Sequence, residues 1–166
     1  MLEIYPNIKA TPKQTDELEY AITATEKIIN SSVFGDALRK SRLTETTGLS
    51  KKEILKKIRQ EWAINFEFYH DQDSKALGGA SERLRRIRIN SYRWYSLRNK
   101  VAVITHEMMH LIGFDHKDRF QHQSIPYKAE EIVKGIIDRH GYKEGKKLRN
   151  LSPPFLRWLF NWVIWL

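Results

Sequence analysis

The stretch that decides the fold runs from Val101 to His116 and reads VAVITHEMMHLIGFDH. Its apolar residues recur at helical spacing up to Gly113, where the period stops. Glycine tolerates the left-handed conformation that turns a chain sharply out of a helix. The pattern therefore predicts a helix that ends at Gly113, followed by a chain that folds back toward it.

Three histidines in this stretch have the spacing of metal ligands. His106 and His110 are one helical turn apart, so both imidazoles project from the same face, and the turn at Gly113 brings His116 back toward them. Three neutral imidazoles suit a tetrahedral zinc ion and leave its fourth position to water. Glu107 follows the first histidine, and we expect it to act as the general base that takes a proton from that water.

A structural interpretation of the same residues needs no function. His106 and His110 would be ordinary polar positions on a packed helix, and Gly113 would be a plain helix stop. The short pattern H-E-x-x-H recurs by accident. Gly113 and His116 in register extend it to five fixed residues, and chance then becomes a poor explanation.

The eleven residues from His106 to His116 resemble the zinc-binding consensus of the metzincin clan, H-E-x-x-H-x-x-G-x-x-H. The resemblance implies a zinc-dependent endopeptidase with an α+β fold, in which flanking helices and an active-site helix accompany a small twisted sheet, mostly antiparallel or mixed. It also implies that the strand before the active-site helix is an edge that binds extended substrate. Arg86, Arg88 and Asn90 are therefore candidate substrate-binding residues.

The clan's methionine turn is the point at which this sequence departs from the resemblance. No methionine follows His116, and Ser124 stands where the methionine would be, shortly before Pro126. Tyr127 resembles the tyrosine that some clan members use to stabilise an oxyanion, which makes it a candidate catalytic residue. It could equally be an aromatic side chain that packs at the start of a helix.

The rest of the chain predicts a scaffold around this motif. One helix should begin after Thr11 and another after Ser50, each with a capping residue three positions further on. Residues 64–69 and 86–90 alternate between apolar and polar, as half-buried strands do, and a loop separates them. A last helix is expected over roughly 127–139.

Length and composition predict a single domain over residues 1–150 and an apolar, Trp-rich tail helix over residues 151–166. Because the chain has no cysteine, any metal must be held by histidine or carboxylate. The N-terminus has no signal peptide pattern, and a tail helix of about 18 Å is too short for a bilayer core of about 30 Å. The cytoplasm is thus the default expectation, while the tail could contact a membrane surface, a partner or its own domain.

The formal charge of +9 favours anionic partners and raises a second hypothesis. Residues 110–116 also resemble the H-L-x-G-Y-D-H ending of bacterial metal-dependent endoribonucleases, although those enzymes lack a counterpart of Glu107. A basic run interleaved with aromatic residues could bind nucleic acid, but such runs are more commonly solvated strand faces. An endoribonuclease and a peptidase-like binding protein therefore remain the alternatives. The basic run comprises Arg83, Arg85, Arg86, Arg88, Arg93, Arg98 and Lys100.

Overall fold

Five helices and a small mixed sheet make up the part of the chain that the computed structural model describes, namely residues 3–4, 11–44, 46–60, 63–93, 96–116 and 121–140. The predicted α+β class is confirmed. The strands are β1 (Glu3–Ile4), β2 (Asn65–Tyr69), β3 (Gly78–Ser81) and β4 (Arg86–Asn90). The helices are α1 (Pro12–Asn30), α2 (Ser32–Lys40), α3 (Lys51–Ile58), α4 (Leu97–Leu111) and α5 (Ile125–His140).

The sheet has the strand order β1-β2-β4-β3. β2 runs parallel to both β1 and β4, and only β3 runs antiparallel to its neighbour. The prediction of a mixed sheet is confirmed, but the expectation of a mostly antiparallel one is wrong. The reason is that the chain passes beyond the position of β4 before it forms β3, and then returns through a tight turn to insert β4 between β2 and β3.

The predicted edge strand is the second point at which the sequence misled. Residues 86–90 form β4, which pairs with β2 on one side and β3 on the other, so this strand is internal. The edge is instead β3, which lies within the segment predicted to be a loop. Its sequence, Gly-Gly-Ala-Ser, carries no alternation of large apolar side chains that could mark it as a strand.

The first helix has the predicted cap. The Thr11 hydroxyl accepts from the backbone N–H of Gln14, whose side chain accepts in return from the backbone N–H of Thr11. Thr25 interrupts the apolar face of this helix but is buried, and its hydroxyl donates to the carbonyl of Ala21 at 2.8 Å. The buried apolar residues of this face include Leu18, Ala21, Ile22 and Ile29.

Local sequence signals predicted helix α3 but not helix α2. The helix after Ser50 begins with the predicted capping box, in which Glu53 is the reciprocal partner. The preceding helix, α2, was not predicted, although its buried residues Phe34 and Leu38 have helical spacing. Ser31 lies between α1 and α2, because it follows the last residue of α1 and caps the start of α2. Its hydroxyl accepts from the backbone N–H of Phe34.

Helix α4 lies at the centre of the core and carries the motif. It packs against α1, α5 and β3, and it lies near the apolar face of the sheet. The predicted last helix is confirmed as α5, which begins two residues earlier than expected. The C-terminal half of α4 is therefore enclosed between the β3 edge and α5. The sheet's buried apolar residues are Phe66, Phe68, Ile87 and Ile89.

The tail helix predicted over residues 151–166 lies outside the described residues, and the domain boundary at residue 150 stays a prediction. Among the helices that are described, none combines the length and the apolar character needed to cross a bilayer.

Candidate metal centre

The turn after α4 brings the third histidine back to the other two. The backbone N–H of Phe114 donates to the Met109 carbonyl, and that of Gly113 donates to the His110 carbonyl, both at 2.9 Å. These two bonds, with Gly113 at φ +81°, form a Schellman motif. Phe114 and Met109, at the two positions that pack together in such motifs, are both buried. The chain therefore reverses at Gly113 with its carbonyls satisfied, and His116 returns toward the helix.

Three imidazoles converge as the sequence predicted. One nitrogen from each of His106, His110 and His116 lies within 4.8 Å of the other two, so the three side chains are close enough to hold one metal ion. All three rings are partly buried, and the Nε2 atoms of His106 and His110 are 3.3 Å apart. A tetrahedral zinc ion with Zn–N bonds of about 2.0–2.1 Å would separate two ligand nitrogens by roughly 3.3 Å. The spacing of this pair fits such an ion.

The outer nitrogens of two histidines contact carboxylates. His106 Nδ1 lies 2.9 Å from Glu130 Oε2, and His110 Nδ1 lies 3.1 Å from Asp115 Oδ1. Ionised carboxylates only accept hydrogen bonds, so each Nδ1 donates, and each Nε2 presents a lone pair to the other. Two facing lone pairs at 3.3 Å repel each other unless a cation or a proton lies between them. In this arrangement both Nε2 atoms face into the triad, as binding of a metal there would require.

The surroundings of His110 favour the neutral imidazole that a metal ligand requires. Burial lowers the pKa of His110, and the nearby His106 and His116 lower it further, against the opposing effect of Asp115. A lowered pKa favours the neutral imidazole near neutral pH. Only the neutral ring has a lone pair available for a metal.

Glu107 lies in the same cleft as the triad. The residue is only 9% exposed, and burial raises the pKa of its carboxyl to about 7, with His106 opposing and Glu130 reinforcing the shift. A pKa near 7 allows a carboxyl group both to take and to release a proton at neutral pH. The predicted general base therefore has the environment that this role requires.

Helix α5 contributes residues to the site that the sequence analysis only partly identified. The ring of Tyr127 lies 4.7 Å from that of His106 and 5.1 Å from that of His116, centroid to centroid. Glu130 and Lys134 were not predicted, although Tyr127, Glu130 and Lys134 have the spacing of one helical face. Burial raises the pKa of Glu130, but hydrogen bonds from His106 and Lys134 outweigh it and the net pKa is lowered.

A cleft of about 680 Å³ opens over these groups. One wall is β3, and the opposite side is formed by the turn after α4 and by α5. It is lined by the three histidines and by Lys75, Ala76, Leu77, Gly78, Gly79, Ala80, Glu82, Val103, Glu107, Gly113, Asp115, Tyr127 and Glu130.

The register of β3 determines which main-chain groups border the cleft. The backbone N–H of Asn90 donates to the Leu77 carbonyl at 3.0 Å, which makes these two residues a hydrogen-bonded pair. Hydrogen-bonded and non-bonded pairs alternate along an antiparallel ladder. The N–H and C=O groups of Gly78 and Ala80 therefore point away from β4, on the side of β3 that borders the cleft.

Gly78 also brings β3 close to Glu107. A Cβ atom at this position would lie 3.0 Å from the Arg88 carbonyl oxygen, 3.0 Å from Val103 Cγ1 and 3.3 Å from Glu107 Cγ. A Cβ at Gly79, by contrast, would meet nothing within 4 Å. Only a glycine at position 78 allows the strand to pack this tightly on the segment of α4 that carries Glu107.

The predicted substrate-binding residues do not line this cleft. Arg86 pairs with Glu67 at 2.8 Å, and Arg88 lies over the Tyr69 ring. Asn90 is buried and holds the segment before β3, because its side-chain amide donates to the carbonyls of residues 71 and 76. These residues were predicted to bind substrate because β4 was expected to be an edge strand, and β4 is instead internal.

The basic run does not form one continuous face. Arg98 pairs with Asp138 at 2.7 Å, and Lys100 is buried against Glu17 at 2.8 Å. Arg93 donates to the carbonyl of residue 74. The remaining histidines of the chain, at positions 70, 122 and 140, are exposed.

Comparisons with known proteins add no relative to this description. No family model matches the chain, and neither a curated protein nor a solved structure matches it.

Proposed function

We propose that this chain is a zinc-dependent endopeptidase of the metzincin kind, with Glu107 as its general base. One observation carries the proposal: three imidazole nitrogens within 4.8 Å of one another share a cleft with a buried glutamate adjacent to the first ligand. A zinc ion held by His106, His110 and His116 would polarise a carbonyl and make water nucleophilic at neutral pH.

Glu107 handles the proton. With a pKa of about 7, its carboxylate can take a proton from the attacking water and later deliver it to the leaving amine. Tyr127 lines the same cleft, beside His106 and His116. Its phenol could donate a hydrogen bond to the charge that develops on the substrate oxygen.

Strand β3 replaces β4 as the proposed substrate edge. The outward main-chain groups of Gly78 and Ala80 can pair with an extended peptide, which would add a strand to the sheet along the cleft. Because positions 78–80 carry no side chain larger than a methyl group, the peptide backbone can approach the strand closely.

The charge of the cleft favours a peptide over an RNA substrate. Although the chain carries a formal +9, the residues that line the cleft include the carboxylates of Glu82, Glu107, Asp115 and Glu130 against a single lysine, Lys75. Away from the zinc ion, whose own charge would attract a phosphate, these carboxylates would repel a phosphate backbone. The ion pairs of Arg86, Arg98 and Lys100 also leave these side chains less able to hold a phosphate backbone.

Replacing Glu107 tests the proposal. Glu107→Ala should keep a zinc content near that of the wild type and lose roughly 10²- to 10⁴-fold in peptide hydrolysis. Metal analysis by inductively coupled plasma and a peptide-library digest are the two measurements. Glu131→Ala is the matched control, because Glu131 is 68% exposed on α5, where it pairs with Lys128. Cleavage of RNA with no cleavage of any peptide would replace this function with a nuclease.

A further inference from the structure

We propose that Glu130, held by Lys134, is a positioning residue that orients His106 and thereby sets the metal affinity of the triad. The inference rests on the proposed metal centre but not on the reaction. Glu130 Oε2 lies 2.9 Å from His106 Nδ1, while its second oxygen, Oε1, pairs with Lys134 Nζ. Each carboxylate oxygen therefore has its own cationic or hydrogen-bonding partner.

This contact is fixed by packing rather than by a loop. Glu130 and Lys134 are one turn apart on α5, and the buried residues Ala129, Ile132 and Val133 hold that helix against the core. The side chains of His106 and Glu130 are 12% and 19% exposed. Because solvent has little access to these two side chains, a charge-assisted hydrogen bond between them is stronger than it would be in water.

The bond determines which nitrogen of His106 carries the proton. A free imidazole has two tautomers and can turn about its side-chain bonds. A carboxylate at Nδ1 fixes the Nδ1–H tautomer and points the Nε2 lone pair at His110, 3.3 Å away. Without Glu130, part of the metal-binding free energy would be spent in ordering this ring.

His110 provides an internal comparison. Its partner, Asp115, lies at a longer 3.1 Å, and its side chain is 84% exposed. Water competes for such a carboxylate, so the bond contributes little. The structure thus assigns unequal roles to two carboxylates that occupy equivalent positions on neighbouring ligands.

Zinc affinity, measured by competition with a chromophoric chelator at pH 7, tests this assignment. Glu130→Ala should weaken zinc binding by roughly 10- to 100-fold, as loss of such partners does elsewhere. Glu130→Gln should give a smaller loss, because the amide oxygen still accepts the hydrogen bond but has no charge. Lys134→Met should also weaken binding, by less than Glu130→Ala. Asp115→Asn and the control Glu131→Gln should stay within about threefold of the wild type.

The tautomer of His106 supplies a readout that a merely structural role would not move. Nitrogen-15 NMR of the metal-free wild type should show the Nδ1–H form, and Glu130→Gln should show a mixture. A folded Glu130→Ala variant with zinc affinity within twofold of wild type would overturn the proposal, as would an Nε2–H tautomer in the wild type. If Glu130→Ala failed to fold, Glu130→Gln and the wild-type tautomer would decide.

The outcomes separate this inference from the proposed function. Tight zinc binding that depends on Glu130, without any peptide cleavage, would contradict the proposed peptidase function but support the positioning role of Glu130. Zinc affinity independent of Glu130 in an active peptidase would do the reverse.

Discussion

At the scale of single residues, the local motif was predictable and its partners were not. His106, Glu107, His110 and His116 are all within eleven positions, so helix geometry and one glycine turn suffice to bring them together. Glu130 lies 24 positions from the histidine that it contacts. Its place depends on how α5 packs on α4, and no local pattern of the sequence encodes that.

The buried carboxyl of Glu107 should contribute less to the stability of the metal-free protein as the pH rises. Its pKa in the folded protein is about 7, against an ordinary value of 4.5. The folded state therefore keeps a proton that the unfolded state releases, so the contribution of this carboxyl is fullest below about pH 4.5 and declines up to about pH 7. The interval corresponds to roughly 3 kcal/mol.

Urea denaturation of metal-free wild type and Glu107→Gln across this pH range measures the effect. The variant should gain stability over the wild type as the pH rises, by up to about 3 kcal/mol above pH 7. The control Glu131→Gln should follow the wild-type profile. A difference between Glu107→Gln and wild type that stayed constant with pH would contradict the buried position of this carboxyl.

At the scale of elements, capping signals located the starts of two of the five α-helices, and the sheet was harder to predict. The boxes at Thr11 and Ser50 set helix starts directly. Strand β3 has too little side-chain pattern to be recognised, because its role depends on a backbone that passes close to α4. Without β3, the sequence offered no reason to place β4 inside the sheet.

Replacement of two glycines by alanine should change the free energy of unfolding in opposite directions. Gly113 forms the turn after α4, whereas Gly135 lies inside α5. Gly113→Ala should cost about 1–2 kcal/mol, because alanine must adopt the left-handed conformation, while the nearest atom to a new Cβ is Lys57 Nζ at 3.6 Å. Gly135→Ala, inside α5, should add about 0.5–1 kcal/mol. Chemical denaturation measures both, and zinc titration should show a weaker triad only in Gly113→Ala. Equal stability changes would contradict the turn.

The contact between β3 and α4 gives a second glycine pair. Gly78→Ala places a Cβ against the immobile Arg88 carbonyl, so the strand must shift, at a cost of about 1–3 kcal/mol. That shift should also displace Glu107 and lower peptide hydrolysis. Gly79→Ala should not lower the free energy of unfolding, because its Cβ would meet nothing within 4 Å. Hydrolysis that is retained in Gly78→Ala would show that the strand does not position the base.

At the scale of the whole molecule, the fold class was predictable and the topology was not. The metzincin resemblance implied an α+β fold, and the helix that carries the motif was correctly predicted. Strand order depends on which segments meet in three dimensions. β4 is the last strand in the sequence, yet it lies second from the edge of the sheet. The net charge was equally uninformative about the cleft, whose lining has a different charge balance from the protein.

The acidic lining predicts a preference among peptides. Peptides with lysine or arginine near the cleaved bond should be hydrolysed faster than matched acidic peptides, and the difference should shrink as salt is added. Glu82→Lys, at an exposed position of the cleft, should reduce the preference. Glu131→Lys, on the exposed side of α5, should leave it unchanged. Faster cleavage of the acidic series would refute this electrostatic account.

Zinc stoichiometry in the wild type and in His116→Ala tests the central claim most directly. The wild type should retain roughly one zinc ion per chain. His116→Ala should lose more affinity than the roughly 10- to 100-fold that removing an outer partner costs. His70→Ala removes an exposed histidine far from the triad along the chain and should bind zinc as the wild type does. A wild type that takes up no zinc, or a His116→Ala variant that binds it equally well, would contradict the account.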